Sequence, residues 1–338
     1  MGVAAGVDGG DALAVLSALL SEDLAACNRT IVARMTSPVA LIPQLAAHIV
    51  AAGGKRLRPL LTLAAARLCG YPDAAGGERH VQLAACVEFI HTATLLHDDV
   101  VDESLLRRGL ASANAVFGNK ASVLVGDFLF ARAFQLMVED GSLEVLAVLS
   151  QAAATIAEGE VLQLATQNDL STSEESYLEV VKGKTASLFA AACRVGAILG
   201  ARPAAEAEAL AAYGMNVGIA FQLVDDALDY AADQVQLGKT VGDDFREGKI
   251  TLPVLAAYGA GGAAERAFWK RTIEDSEQSP DDLDHALRLI REHGAIKATL
   301  ARAAGYAQSA QSALRVFPEA RLREALLDVA DYTIRRAR

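Results

Sequence analysis

The 338-residue sequence is poor in aromatic side chains, in cysteine and in positive charge. Aromatics make up 5 %, with a single tryptophan, so the core must be built from aliphatic residues. The four cysteines, Cys27, Cys69, Cys86 and Cys193, stand far apart among apolar neighbours with no C-x-x-C pair. That excludes a disulfide framework or a zinc knuckle and fits reduced, buried thiols. The net charge of −11 argues against a general affinity for nucleic acid or for anionic membrane surfaces. A local basic patch or bound metal ions can still hold an anionic substrate. Residues Met1 to Asp11 contain neither lysine nor arginine, unlike a secretory leader, so a cytoplasmic location is expected. The first ten or so residues are expected to be disordered. The longest apolar stretch, Ala209 to Val224, is interrupted by Gly214, Asn216, Gly218 and Gln222, and no transmembrane segment is expected.

Strand signals are missing too. No run of alternating β-branched residues is bounded by hairpin turns. What remains is helical periodicity over a chain that is 52 % hydrophobic and rich in alanine and leucine. Helices are expected over 11–20, from Leu45, over 60–68, 79–102, 127–139, 143–168, 173–199, 204–229 and 249–259, and again beyond Pro280. No linker divides the chain, and Gly259-Ala-Gly-Gly262 reads as a loop. The expectation is therefore one all-α domain over 1–338.

Two segments repeat a pattern, Leu96-His-Asp98-Asp99-Val-Val-Asp102 and Leu223-Val-Asp225-Asp226-Ala-Leu-Asp229, 127 residues apart. Each ends a long apolar helix. The i, i+4 spacing of Asp98 with Asp102, and of Asp225 with Asp229, puts both carboxylates on one helical face. Such carboxylates repel one another unless a cation lies between them, and hard oxygen ligands suit Mg²⁺ bridged to phosphate. Basic residues lie around both clusters: Lys55, Arg56 and Arg58, then Arg107 and Arg108, then Lys182 and Lys184, then Lys239. Arginine forks and lysine point charges recognise phosphate. Acidic clusters and cations together point to a diphosphate held through Mg²⁺. The Gly53-Gly-Lys55 stretch lacks P-loop spacing and follows no strand, so a nucleotide-binding P-loop is excluded there.

The segment His91-Thr-Ala-Thr-Leu-Leu-His-Asp-Asp-Val-Val-Asp-Glu-Ser, then Arg107-Arg-Gly, Gly126-Asp-Phe and Phe221-Gln-Leu-Val-Asp-Asp-Ala-Leu-Asp, resembles the trans-polyprenyl diphosphate synthases. The likeness runs from about Lys55 to Pro253, and the segment from His91 to Arg108 also resembles the bacterial octaprenyl-to-decaprenyl group. It implies a single bundle of long helices around a central cavity, usually as a homodimer. It implies two magnesium ions on Asp98 and Asp102 and a third on Asp225, with Asp226, Asp229 and Asp243 in support. Arg107, Lys184, Thr185, Gln222 and Lys239 would contact the allylic diphosphate, with Lys249 adding charge nearby. Lys55, Arg58, His91 and Arg108 would bind isopentenyl diphosphate. Asp98, Asp102, Asp225, Lys184 and Lys239 form the implied catalytic set. His91 also lies two helical turns before Asp98, on nearly the same face; His97 has only a supporting or core reading.

The reaction implied is condensation of isopentenyl diphosphate onto a farnesyl or geranylgeranyl primer. Ala93 and Thr94, five and four residues before Asp98, are small, which leaves room for a long tail of about C40–C50, as in quinone side chains. Phe89 and Ile90 lie a turn deeper, and Phe130, Phe134 and Met137 are candidates for the tunnel floor. Leu105 and Leu110 stand where polar residues are expected, which bears on substrate entry and loop mobility. A peripheral membrane contact would serve product release. A short-chain farnesyl or geranylgeranyl synthase is the alternative that small Ala93 and Thr94 oppose. A non-catalytic partner subunit is opposed by the two intact clusters, and a terpene cyclase by Lys55, Arg58 and Arg108.

Overall fold

The computed structural model describes residues 11–51, 54–71, 77–107, 109–231 and 241–336. The expected N-terminal disorder, Arg108 and Lys239 lie outside these residues. The fold is all-α. The helices are α1 Asp11–Leu19, α2 Ser21–Arg34, α3 Leu41–Ala51, α4 Leu57–Leu68, α5 Arg79–Val101, α6 Ala113–Phe117, α7 Asn119–Asp140, α8 Leu143–Thr166 and α9 Glu174–Val181. They continue with α10 Ser187–Leu199, α11 Ala204–Asp229, α12 Asp243–Arg246, α13 Leu252–Ala260, α14 Ala263–Trp269, α15 Asp282–Glu292, α16 Ala295–Ala313 and α17 Arg321–Arg335.

Helix α5 sits inside the bundle, packed along α7, α4 and α2. It is buried on all sides, from Val81 through Phe89 and Ile90 to Asp99, rather than along one stripe. That is how a helix reads when neighbours surround it. Helix α11 is its counterpart, lying between α10 and α16. The two aspartate clusters close these two helices.

Several local outcomes differ from the expectations, with α7 beginning at Asn119 rather than 127 and α13 at Leu252 rather than 249. Helix α3 starts at Leu41, not Leu45, because Pro43 falls in its first turn, where a missing N–H costs nothing. The helix expected over 173–199 is interrupted by a π-turn, Lys182–Ala186, between α9 and α10. A two-residue antiparallel ribbon joins Leu106–Arg107 to Leu110–Ala111, with Gly109 at φ +78° in its turn.

Helices α7, α8 and α11 are long and apolar enough to span a membrane by length and composition. The expectation drawn from Ala209 to Val224 had excluded such a length. In the bundle α11 is more than half buried, whereas α7 and α8 leave Leu124, Phe134, Val138, Val161 and Leu164 exposed.

Candidate active site at the two aspartate clusters

Helix α5 stops at Asp102 by a left-handed cap. Glu103 takes φ +50° and the Ser104 N–H donates to the Asp99 carbonyl at 3.0 Å. This six-to-one closure usually places glycine at the left-handed position. Here glutamate holds it, and the strain of about 1 kcal/mol is met by the loop's own bonds. The Asn114 amide donates to the carbonyls of Asp99 and Ser104, and Ser112 Oγ donates to the Ser104 carbonyl at 2.7 Å. The ribbon beyond is pinned by Arg107, whose Nε donates to the buried Asp99 carboxylate at 2.7 Å. Arg107 therefore meets the middle aspartate of the first cluster.

Asp98 and Asp102 face cations from distant segments. Lys184 Nζ stands 3.7 Å from Asp98 and also donates to Glu160 at 2.7 Å and Gln163 at 2.8 Å, both on α8. Lys249 Nζ stands 3.0 Å from Asp102. Burial pushes the Asp98 carboxyl above its ordinary range; Lys184 opposes this and Asp102 adds to it. Glu160 is pushed to about 7 by burial and by Asp98. Burial alone would depress the Lys249 ammonium, but Asp102, Asp244 and Glu247 outweigh it and raise its pKa. The first cluster is thus a crowd of carboxylates with more negative charge than its lysines balance.

The π-turn explains how Lys184 and Thr185 reach the site. Gly159 on α8 lets the turn approach so closely that a Cβ there would lie 2.5 Å from the Lys184 nitrogen. On its other side Gly218 of α11 meets Ala186, where a Cβ would lie 2.6 Å from the alanine Cα. Held between α8 and α11, Thr185 Oγ1 donates to Gln222 Oε1 at 2.8 Å, and Gln222 Nε2 donates to Asp226 at 2.8 Å.

The three aspartates of the second cluster divide their surroundings. Asp226 is buried, accepts bonds from the Tyr177 hydroxyl and Gln222, and is pushed to about 7 by burial and Asp244. Asp229 accepts the Asp244 N–H at 3.1 Å, and burial and Asp244 push it to about 8. Asp225 is 31 % exposed, with Arg336 Nη2 at 2.8 Å. Asp243 pairs with Arg246 at 2.8 Å on the surface.

The second group of cations gathers at the start of α4. Arg56 takes a left-handed φ of +48° and pairs with Glu88 of α5. Arg58 Nη1 lies 3.1 Å from His91 Nε2, and its guanidinium covers the Phe189 ring at 4.3 Å. Lys55 Nζ donates to the Tyr332 hydroxyl. A pocket between these groups and the ribbon is lined by His48, Arg56, Glu88, His91, Asp99 and Arg107. Arg58 and His91 thus meet beside α5, while Lys55 turns to Tyr332 of α17 and the carboxylates of the first cluster gather at the end of α5.

Behind Asp98, Ala93 is fully buried and Thr94 half-buried, its hydroxyl donating to the His91 carbonyl at 2.8 Å. Phe89, Ile90 and Met137 are buried and Phe130 partly so. Phe134 is 47 % exposed and faces out of the bundle, so it is not a floor residue. His97 turns away from the aspartates, its Nε2 3.2 Å from the Val123 carbonyl beside Gly126.

Glu160, Gln163, Glu88, Tyr177, Tyr332 and Arg336 belong to this constellation without having stood out in the sequence. Glu160 and Gln163 carry a faint signal: two polar groups three apart on the apolar α8, on one face. The others have none, because their partners are distant in the chain.

Among the described residues no three acidic or histidine side chains already converge as a metal cage. Mg²⁺ keeps waters and takes one or two carboxylates together with substrate phosphates, and Asp98 and Asp102 are donors of that kind. Hard oxygen donors with unbalanced charge fit the ion.

The family model described as polyprenyl synthetase matches residues 39–290. The octaprenyl diphosphate synthase of Escherichia coli (strain K12) is 49 % identical over 323 residues, 96 % of this chain and 98 % of that one. A crystal structure of a decaprenyl diphosphate synthase from Rhodobacter capsulatus superposes with a TM-score of 0.91 at 54 % identity, over 96 % of this chain and 98 % of that one. A polyprenyl synthase from Caulobacter crescentus CB15, complexed with calcium and isoprenyl diphosphate, gives 0.92 at 53 % identity, over 95 % and 97 %. The chain belongs to the polyprenyl synthetase family.

Proposed function

We propose that the chain is a magnesium-dependent, long-chain trans-prenyltransferase that extends an allylic diphosphate with isopentenyl diphosphate to about C40–C50, for quinone side chains. The observation that carries this is the opposition of three outer aspartates, Asp98, Asp102 and Asp225, to three cations from elsewhere in the chain. Similarity to octaprenyl and decaprenyl diphosphate synthases supports the long product.

On this reading Asp98, Asp102 and Asp225 hold about three magnesium ions, which when bound neutralise the diphosphates and act as Lewis acids. Arg107, Lys184, Thr185, Gln222 and Lys239 bind the allylic diphosphate, with Lys249 adding charge. Lys55, Arg58, His91 and Arg108 bind isopentenyl diphosphate. The two sets hold the substrates so that the allylic C–O bond breaks with its electron pair leaving on diphosphate. The isopentenyl double bond then forms the new C–C bond, and a proton passes to the departing diphosphate. The buried faces of α5, α7 and α11 keep out water, which would quench the cation. Ala93, Thr94 and Met137 bound the tail's path.

The remaining proposals concern organisation. The whole chain acts as one domain. The exposed apolar side chains of α7 and α8 support a homodimer across that face. The exposed Leu105, Leu106 and Leu110 support a peripheral contact with the cytoplasmic side of a membrane, where an insoluble product is handed over. Purified protein with Mg²⁺, labelled isopentenyl diphosphate and farnesyl diphosphate, followed by chromatography of the chains formed, tests the activity. Absence of incorporation sinks it, and products stopping near C15–C20 favour the short-chain alternative.

A further inference from the structure

The last turn of α17 touches both halves of the site. Arg336 Nη2 lies 2.8 Å from Asp225 Oδ1 and donates to the Phe221 carbonyl at 2.7 Å. Its Nε donates to the Thr333 carbonyl at 3.3 Å, and its guanidinium lies 3.8 Å above the Phe221 ring. The side chain is only 15 % exposed. One turn earlier, Tyr332 accepts from Lys55 Nζ, which also lies 5.1 Å from the tyrosine ring centre. Residues four apart share a helical face. A single turn therefore reaches from the second aspartate cluster to a lysine of the opposite cation group. The two regions are also joined through rings. Phe221 lies 5.9 Å from Phe189, whose other contact is Arg58, itself bonded to His91.

We propose that Arg336 and Tyr332 are positioning residues that couple the two substrate sites. Arg336 is the counter-cation of Asp225 until a divalent ion takes that carboxylate, and Tyr332 holds Lys55 until the same turn shifts. This rests on reading Asp225 as a metal ligand. A guanidinium at 2.8 Å and a divalent ion on the same carboxylate repel one another. With Asp225 given over to an ion, Arg336 would leave the carboxylate and the turn that carries it would move with it. Lys55 then loses its tyrosine partner and becomes available to the incoming isopentenyl diphosphate. By linkage the coupling is reciprocal, so isopentenyl diphosphate favours metal binding to the same extent.

The test measures Mn²⁺ binding to the full chain by electron paramagnetic resonance, with farnesyl thiolodiphosphate present. It is paired with calorimetry of isopentenyl diphosphate with and without the metal. Arg336→Gln is expected to bind Mn²⁺ at least about threefold more tightly, and Arg336→Lys to return towards the parent affinity. In Arg336→Gln and Tyr332→Phe, isopentenyl diphosphate binds about as tightly without the metal as with it, so the coupling of the parent chain shrinks by at least about threefold. Unchanged or weaker Mn²⁺ binding in Arg336→Gln overturns the proposal, as does intact coupling in both variants. Asp225→Asn separates the two levels. If it loses one bound Mn²⁺ while Arg336→Gln is unchanged, the coupling fails alone; if it loses none, the assignment of Asp225 fails as well.

Discussion

Lys249 and Asp102 meet at 3.0 Å although 147 residues separate them in the chain. The lysine comes from the segment after α12 and the aspartate from the end of α5, so the pair ties the second cluster's side of the bundle to the first. The Asp102→Asn variant is expected to lose activity by about 100-fold or more, with binding of Mn²⁺ weakened in parallel. Lys249→Gln is expected to raise KM for the allylic substrate by about tenfold with a smaller effect on kcat. Steady-state kinetics across a range of Mg²⁺ concentrations distinguishes the two. Chelation of the metal should abolish turnover, and added Mg²⁺ should restore it.

The tunnel reading is tested at Ala93. Tyrosine there places a ring one turn behind Asp98, and the product is expected to shorten to about C15–C20 while the fold survives at a cost of about 1–3 kcal/mol. Chromatography of the reaction products decides it: an unchanged chain length in an active variant removes Ala93 from the tunnel wall.

Gly159→Ala probes the approach of the π-turn. The added methyl would meet the Lys184 backbone, which must move. The variant is expected to be destabilised by about 1–3 kcal/mol and to lose allylic affinity more than isopentenyl affinity. Equal losses for both substrates, read from separate KM values, would contradict the placement of Lys184 and Thr185.

Acid stability has a separate origin. Asp282, at the start of α15, takes a two-pronged bond from Arg271 at 2.9 and 2.7 Å, which holds its carboxyl well below the ordinary value of 3.8. A depressed folded pKa means the native state binds fewer protons than the unfolded one between the two values. The stabilisation is therefore complete above about pH 4 and is lost as pH falls through the folded pKa. Asp282→Asn should lower Tm at pH 7 and flatten the decline of Tm below pH 4 without changing the chain length of the product. Thermal melts over pH 2–7 read this directly.

Much of the bundle could be read from the chain before its structure. The helix expected over 204–229 has those bounds, and the one over 79–102 ends one residue early, because their apolar periods are long and their aspartates mark their ends. The small ribbon escaped notice because two residues per strand carry no period. The π-turn escaped because Lys182-Gly-Lys-Thr-Ala186 is as compatible with an ordinary helix as with a widened one; only the approach of α8 and α11 selects it. The first-cluster lysines were legible as phosphate-type cations but not as partners of particular aspartates. Phe134 looked like a floor residue on spacing alone, and the angle at which α7 packs turned it outward. Arg336 could not be seen from the sequence, since its contact with Phe221 spans 115 residues.

The π-turn at Lys182–Ala186 also sets a phase. One residue more than an α-helix needs is accommodated there, and each α-helical residue turns the chain by about 100°. Deleting a single residue inside the turn would leave α9 and α10 helical and still apolar on their inner faces. Because the wide ring absorbs the extra residue, the deletion would return the segment to ordinary α-helix with α9 and α10 still in phase, and the loss would fall on the ring itself, which presents Lys184 and Thr185 between α8 and α11. The placement of Lys184 and Thr185 therefore hangs on one wide ring of backbone, and a deletion that closes it should cost allylic affinity while the packing of α9 and α10 survives.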